Sequence, residues 1–152
     1  MIRHAGRVSR CVAGGVLVGL AVVLVARGEP AADDARKLKV VVHVNFVDPT
    51  RQGDGLKNVA NILKAATAAG ETTEVEVVCH SGGITLLEKA KTAHAAQVEA
   101  LRKQGVQFAA CENTMRLRSL KIGDLVAGVK TVPSGAFEVV LKQRAGYSYF
   151  KP

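Results

Sequence analysis

Four side chains of this 152-residue chain carry chemistry beyond packing: Cys79, Cys111, His43 and His80. A thiolate is a sulfur nucleophile and a soft metal ligand. A neutral imidazole accepts protons or binds metal in the same pH range. His43 lies inside a β-branched apolar run, and His80 directly follows Cys79 at the end of another. All four could therefore meet at one edge of a sheet and line a ligand pocket there. Their spacing matches no zinc pattern, and no metal is expected. Asn113 and Thr114, just past Cys111, read as capping residues of the next helix with a pocket-lining role open to them. Gly82 and Gly83 could cradle a phosphate, but a lone glycine pair before a helix reads as a turn. With no Ser-His-Asp order, paired-carboxylate signature or phosphate-binding motif, nothing supports a hydrolase or a kinase.

The elements that must position these groups follow from the hydrophobic pattern. Residues 38–44, Leu-Lys-Val-Val-Val-His-Val, are apolar on both faces, as in a strand buried within a parallel sheet. Turn signals from Asn45 to Gly55 predict a loop, followed by a helix whose apolar face is Leu56, Val59, Ala60, Leu63 and Ala66, ended by Gly70. A second strand, Glu74 to Cys79, alternates more strongly, which predicts one face nearer solvent. Leu86, Leu87, Ala90, His94, Val98 and Leu101 predict a second amphipathic helix closed by Gly105, with His94 in the core or at an interface. Val106 to Ala110 is the third strand and Cys111 stands at its end. A helix after Cys111, a short turn near Gly123, a strand over 129–132, a helix capped by Ser134 and a last strand over 147–150 complete the pattern. Strand alternating with helix in this way implies right-handed crossovers and a parallel sheet, an α/β fold.

Ahead of this domain, Arg3, Arg7 and Arg10 precede an uncharged apolar run from Cys11 to Ala26. That order is a targeting pattern, so residues 1–32 are expected to be a signal peptide or N-terminal membrane anchor and the domain to occupy 36–152. At about 1.5 Å per residue the run spans roughly 24 Å, against about 30 Å of hydrocarbon, so membrane contact would come only through residues 11–26 if they are not cleaved. The expected location is periplasmic or otherwise extracytoplasmic. The net charge of +8 divides into +3 on residues 1–32 and +5 on the rest, and aromatics are 4% of the chain with no Trp. Scattered basic residues without a stacking platform argue against nucleic acid as a partner.

The residues alone leave Cys111 open between a reactive thiol and a small buried hydrophobe. They leave Cys79 open between filler, a resolving thiol and a disulfide mate of Cys111, because the separation of the two strand ends is not readable.

Three stretches taken together, Gly105-Val-Gln-Phe-Ala-Ala-Cys-Glu-Asn-Thr-Met115, Val132-Pro-Ser-Gly135 and Gln143-x-x-Gly146-Tyr-x-Tyr-x-Lys151-Pro152, resemble the DsrE/DsrF-like sulfur-relay family. Asn58-Val-Ala-Asn61 and His80-Ser-Gly-Gly83 fit the same pattern, so the resemblance covers residues 38–152. It implies a three-layer α/β/α sandwich with a mainly parallel five-stranded sheet and homo-oligomers, trimers or hexamers. It also implies, at the position of Cys111, a cysteine that carries persulfide sulfur between a donor and an acceptor protein without a cofactor. Amides at the start of the following helix would favour the thiolate such a role needs. Two features differ from the relay members, which are cytoplasmic: the export pattern, and Cys79 where relatives are expected to carry a small apolar residue. The alternative implied function is a non-catalytic oligomeric accessory protein of an extracytoplasmic sulfur or redox pathway.

Overall fold

The computed structural model describes residues 37–152, so the expected signal or anchor over residues 1–32 lies outside the described residues. Five strands form one sheet: β1 (Lys37–Val44), β2 (Thr72–Cys79), β3 (Gln107–Cys111), β4 (Lys130–Val132) and β5 (Ser148–Phe150). Their order is β4-β3-β2-β1-β5 and every pairing is parallel. Val40, Val41 and Val42 in β1 are all at most 5% exposed. A run buried on both faces belongs at the centre of a parallel sheet, where β-branched side chains fit the pleat.

Helices cover both faces. Helix α1 (Pro49–Ala68), helix α2 (Ala95–Lys103) and Met115 of α3 (Glu112–Leu117) pack on the face bearing Val42, Val77, Phe108 and Ala110. Helix α4 (Gly135–Arg144) crosses the other face through Val139, against Val41, Val78, Ala109 and Val132. The first three crossovers step the sheet one way beneath α1, α2 and α3. The last steps back from β4 to β5 beneath α4. Reversing both direction and face preserves the hand of the crossover, so the three-layer sandwich satisfies one chirality throughout. Among the described residues no helix is long and apolar enough to cross a membrane.

Three expectations are corrected. The loop predicted over Asn45 to Gly55 is largely helix, because α1 starts at Pro49 with Asp48 as its N-cap, the carboxylate accepting from the Arg51 amide at 2.7 Å. Gly53 and Gly55 are close-approach sites inside that helix: a Cβ would lie 2.7 Å from His94 Cε1 at the first and 2.9 Å from Pro152 Cγ at the second. The continuous helix expected from Leu86 to Leu101 is broken into a 3-10 turn over Ser81–Leu86, an irregular stretch, and α2. Backbone bonds to the segment 124–126 replace the helical ladder there: Lys89 donates to Asp124 and Val126 to Leu87, both at 2.9 Å. Glu88, 3% exposed, anchors the stretch through Lys91 at 2.7 Å and Arg118 at 3.4 Å.

The third correction concerns β2, whose acidic face is partly exposed at Glu74 but buried at Glu76. Glu76 is 1% exposed, and its Oε2 receives Lys130 at 2.9 Å and Lys142 at 2.7 Å. Burial disfavours the Lys142 ammonium, but the hydrogen bond and charge of Glu76 outweigh it and raise its pKa. These contacts tie β4 and α4 to the middle of the sheet.

The turn after β2 is held where the backbone alone fits. A Cβ on Gly83 would stand 2.0 Å from the Val44 carbonyl oxygen, whereas one on Gly123 would meet nothing within 4 Å. Gly83→Ala is therefore expected to cost about 3 kcal/mol by forcing backbone apart, and Gly123→Ala to stay near neutral. Urea unfolding of the two variants checks the contrast; equal midpoints would mean that the turn is not clamped.

Candidate functional site

Parallel strands bring their carboxyl ends to one edge, and the turns that follow can aim side chains into a shared crevice. Cys111 is the last residue of β3 and occupies the N-cap position of α3. It is 4% exposed. Burial pushes its thiol up, but the neighbouring Gly135 amide, the Thr114 hydroxyl and the Thr114 and Asn113 amides lower it by more, and the net shift is below the ordinary thiol value, although the sulfur makes no capping hydrogen bond to α3. Donors to an anion are worth about twice a neutral hydrogen bond, so several together can outweigh partial desolvation.

Two details keep those donors in place. The Ser81 amide donates to Thr114 Oγ1 at 3.0 Å and so fixes the hydroxyl beside Cys111. Gly135, the first residue of α4, is wedged between two side chains: a Cβ there would lie 2.9 Å from His80 Cβ and 3.1 Å from Cys111 Cβ. His80 is thus beside the thiol pocket although it comes from a different strand end.

His80 does not stand alone. Its Nε2 lies 2.6 Å from His43 Nε2, and with centroids 4.8 Å apart the two rings meet end to end. His43 Nδ1 meets Tyr149 Oη at 2.8 Å and His80 Nδ1 meets Ser81 Oγ at 2.9 Å. Burial, then the neighbouring His80 and the Lys151 charge, lowers the His43 pKa to about 4. Burial and Lys151 lower that of His80 as well. Both rings are neutral at pH 7, so the groups that lower the Cys111 pKa are neutral and none is an imidazolium.

The residues singled out from the sequence divide accordingly. Cys111, Thr114, His43 and His80 gather at this edge. The Asn113 amide joins them while its exposed side chain turns away and accepts from Arg116 at 2.8 Å. Neither Asn113 nor Thr114 caps α3 with its side chain, since the N-cap is Cys111 itself. Cys79 pairs in register with Ala110, one residue short of Cys111, and so faces the opposite core, where it is 0% exposed and burial raises its pKa steeply. Both thiols are free, and their opposite faces exclude a bridge in this arrangement. His94 is a buttress between helices, its Nε2 bonding the Pro49 carbonyl at 2.8 Å. Gly82 and Gly83 serve the close packing of the turn on the chain after β1. Among the described residues no group of three or more His, Cys, Asp or Glu side chains is placed to hold a metal.

Tyr149, Ser81 and Lys151 were not legible as site residues. Tyr149 sits opposite Val41 in the β1–β5 pairing, which puts it on the same face as His43, two residues on. The family-like stretch from Gln143 to Pro152 contains Tyr149, but its place beside His43 follows only from that pairing.

Residues 39–152 match the DsrE/DsrF-like family. The chain belongs to that family. The solved structure of a protein of unknown function from Methanobacterium thermoautotrophicum, MTH1491, is 33% identical, with a TM-score of 0.70 over 76% of this chain and 99% of that one. The ychN protein of E. coli shares the fold at 13% identity and a TM-score of 0.58, again over 76% and 99% of the two chains. No curated protein matches. The α/β sandwich expected from the sequence is therefore the DsrE-like fold.

The lowered pKa of His43 has a consequence for acid stability. As pH falls from the ordinary 6.5 toward about 4, the unfolded chain takes up a proton that the folded one refuses. Stability present above pH 6.5 is therefore lost across that window. At about 1.4 kcal/mol per unit, trimmed for partial exposure, the loss is about 2 kcal/mol. Thermal melts of the wild type and His43→Gln across the window should show the variant losing less; parallel losses would place the acid sensitivity elsewhere.

Proposed function

We propose that this member of the DsrE/DsrF-like family is an extracytoplasmic sulfur carrier that loads sulfane sulfur onto Cys111 and hands it to an acceptor thiol. The observation that carries this reading is the convergence of the Gly135, Asn113 and Thr114 donors on Cys111, which favours the thiolate that must attack. The same donors suit a bound persulfide anion, whose charge sits one atom further out. Persulfide exchange needs no cofactor, because one S–S bond forms as another breaks. Family membership supports a relay role. The basic start followed by the apolar run of residues 11–26 supports export, with the anchor retained or removed. Self-association is part of the proposal, supported by Phe137 at 60% and Val140 at 56% exposure on α4.

A second reading is favoured by the 4% exposure of Cys111: an accessory protein whose thiol only packs. Brief exposure of the full-length chain carrying Cys11→Ser to a polysulfide, then iodoacetamide, separates the two by intact mass. The expected result is one added sulfur atom, removed by dithiothreitol and missing in Cys111→Ser, with Cys79 unlabelled until denaturation. If no sulfur is gained and Cys111 too resists alkylation until denaturation, the accessory reading stands.

A further inference from the structure

We propose that the edge of the sheet where the strands begin is a docking face for the anionic lipid headgroups of a membrane, so that the domain stands on the bilayer with its Cys111 edge turned toward water. The inference rests on the extracytoplasmic part of the reading above, with residues 11–26 retained as an anchor, and adds to it which way the site faces.

Every strand runs the same way, so one edge of the domain collects the strand starts and the ends of α1, α2 and α4. The opposite edge collects the strand ends and the Cys111 pocket. Charge divides unevenly between these edges. Arg102 and Lys103 lie in the last turn of α2, and Lys142 and Arg144 in the last turn of α4. Lys37 and Lys39 begin β1, and Lys130 begins β4. Against these seven cations the same edge holds three carboxylates, Glu71, Glu74 and Glu76, a net of +4. Two of the three are taken up by lysines of the edge itself: Glu76, 1% exposed, by Lys130 and Lys142, and Glu74 by Lys37 at 2.8 Å. All the other described residues together hold nine cations and seven carboxylates, a net of +2 spread over every remaining face.

The chain itself points to the partner. The apolar run over 11–26 leads into this edge, with only the ten residues 27–36 between it and Lys37. Ten residues reach at most roughly 35 Å, and the eight residues of β1 span about 26 Å from edge to edge. A tether of that length lets the domain lie on any side, so charge must select the side. Each Lys or Arg brought to an anionic leaflet favours contact about fivefold. The attraction fades beyond a screening length of about 8 Å at physiological salt, so only the edge that touches is felt. Nucleic acid or an acidic protein would meet the same charge, but only a membrane is held at this edge by the chain. With this edge down, the Cys111 pocket stands about 26 Å above the headgroups and meets sulfur donors and acceptors from the aqueous side.

The test uses the full-length chain carrying Cys11→Ser and Cys111→Ser, reconstituted into vesicles of phosphatidylcholine alone or mixed equally with phosphatidylglycerol. A fluorophore is placed on one introduced cysteine. Gln104→Cys marks the edge where β3 begins, and Val47→Cys, at a position 62% exposed, marks the edge of the pocket; buried Cys79 stays unlabelled. A headgroup-borne quencher is expected to act strongly at position 104 and weakly at position 47, only with phosphatidylglycerol, and to lose its effect in high salt. Lys103→Gln combined with Arg144→Gln, both at exposed positions, should lower the ratio of docked to undocked protein about twentyfold. Equal quenching at the two edges, stronger quenching at position 47, or indifference to phosphatidylglycerol would overturn the docking face. Failure to associate with either vesicle would overturn the anchor and the docking face together. The labelled protein lacks Cys111, so each of these failures leaves sulfur loading untouched, and failure of the wild type to load sulfur leaves the docking face standing.

Discussion

The contact on which the site depends is between two stretches of backbone: the turn after β2 lying on the end of β1 at Gly83 and Val44. Glycine is required because the carbonyl oxygen of Val44 occupies the space a side chain would need. The His80 amide donates to the same carbonyl at 3.2 Å, so this one acceptor fixes where the chain leaves β2. From that point His80 reaches His43 across neighbouring strands, and Ser81 is carried over to Thr114 at a φ of 50°. A non-glycine residue with positive φ is uncommon and is kept only where surroundings hold it. Here its amide orients the threonine hydroxyl that serves the thiol.

The electrostatic design that results differs from a thiolate–imidazolium pair. A cationic histidine would stabilise the sulfur anion but would also make reactivity depend on a proton that acid and base both remove. At this edge the rings are kept neutral by burial and by Lys151, while backbone dipoles, which do not titrate, hold the sulfur. The cost is acid sensitivity, because neutral buried imidazoles oppose the protonation that the unfolded chain accepts.

Much of the fold was legible because β-branched runs and their spacing record burial directly. The five strands, α1 beyond its first two turns, the cap at Ser134 and the end at Gly70 all read from local pattern. What failed was set by distant partners. Gly53 and Gly55 looked like turn residues because the ring of His94 and the ring of Pro152, which need the room, are far off in sequence. Glu76 looked solvent-facing because its lysines arrive from β4 and α4. In the site, Cys111 could be located by its place after β3, and His43 and His80 by theirs after or within β1 and β2. Their mutual bond, and the faces that separate Cys79 from Cys111, follow from register, which a single sequence does not print.

The Glu76 cluster bears on the site in its turn. A buried carboxylate and two ammoniums are weak evidence for net stability, since desolvation offsets much of their attraction. Their geometry nevertheless fixes position: Lys142 belongs to α4, Lys130 to β4, and both end on the same oxygen of the central strand. Helix α4 touches its face of the sheet through few apolar residues, Val139 foremost, so translation along the strands is not strongly opposed by packing alone. The ion cluster opposes it at the carboxyl end of the helix. Gly135, wedged between His80 and Cys111, opposes it at the amino end, where the amide that reaches the sulfur resides. A helix held at both ends can keep one N–H aimed at a sulfur atom to within the tolerance a hydrogen bond allows, and the thiolate depends on that aim.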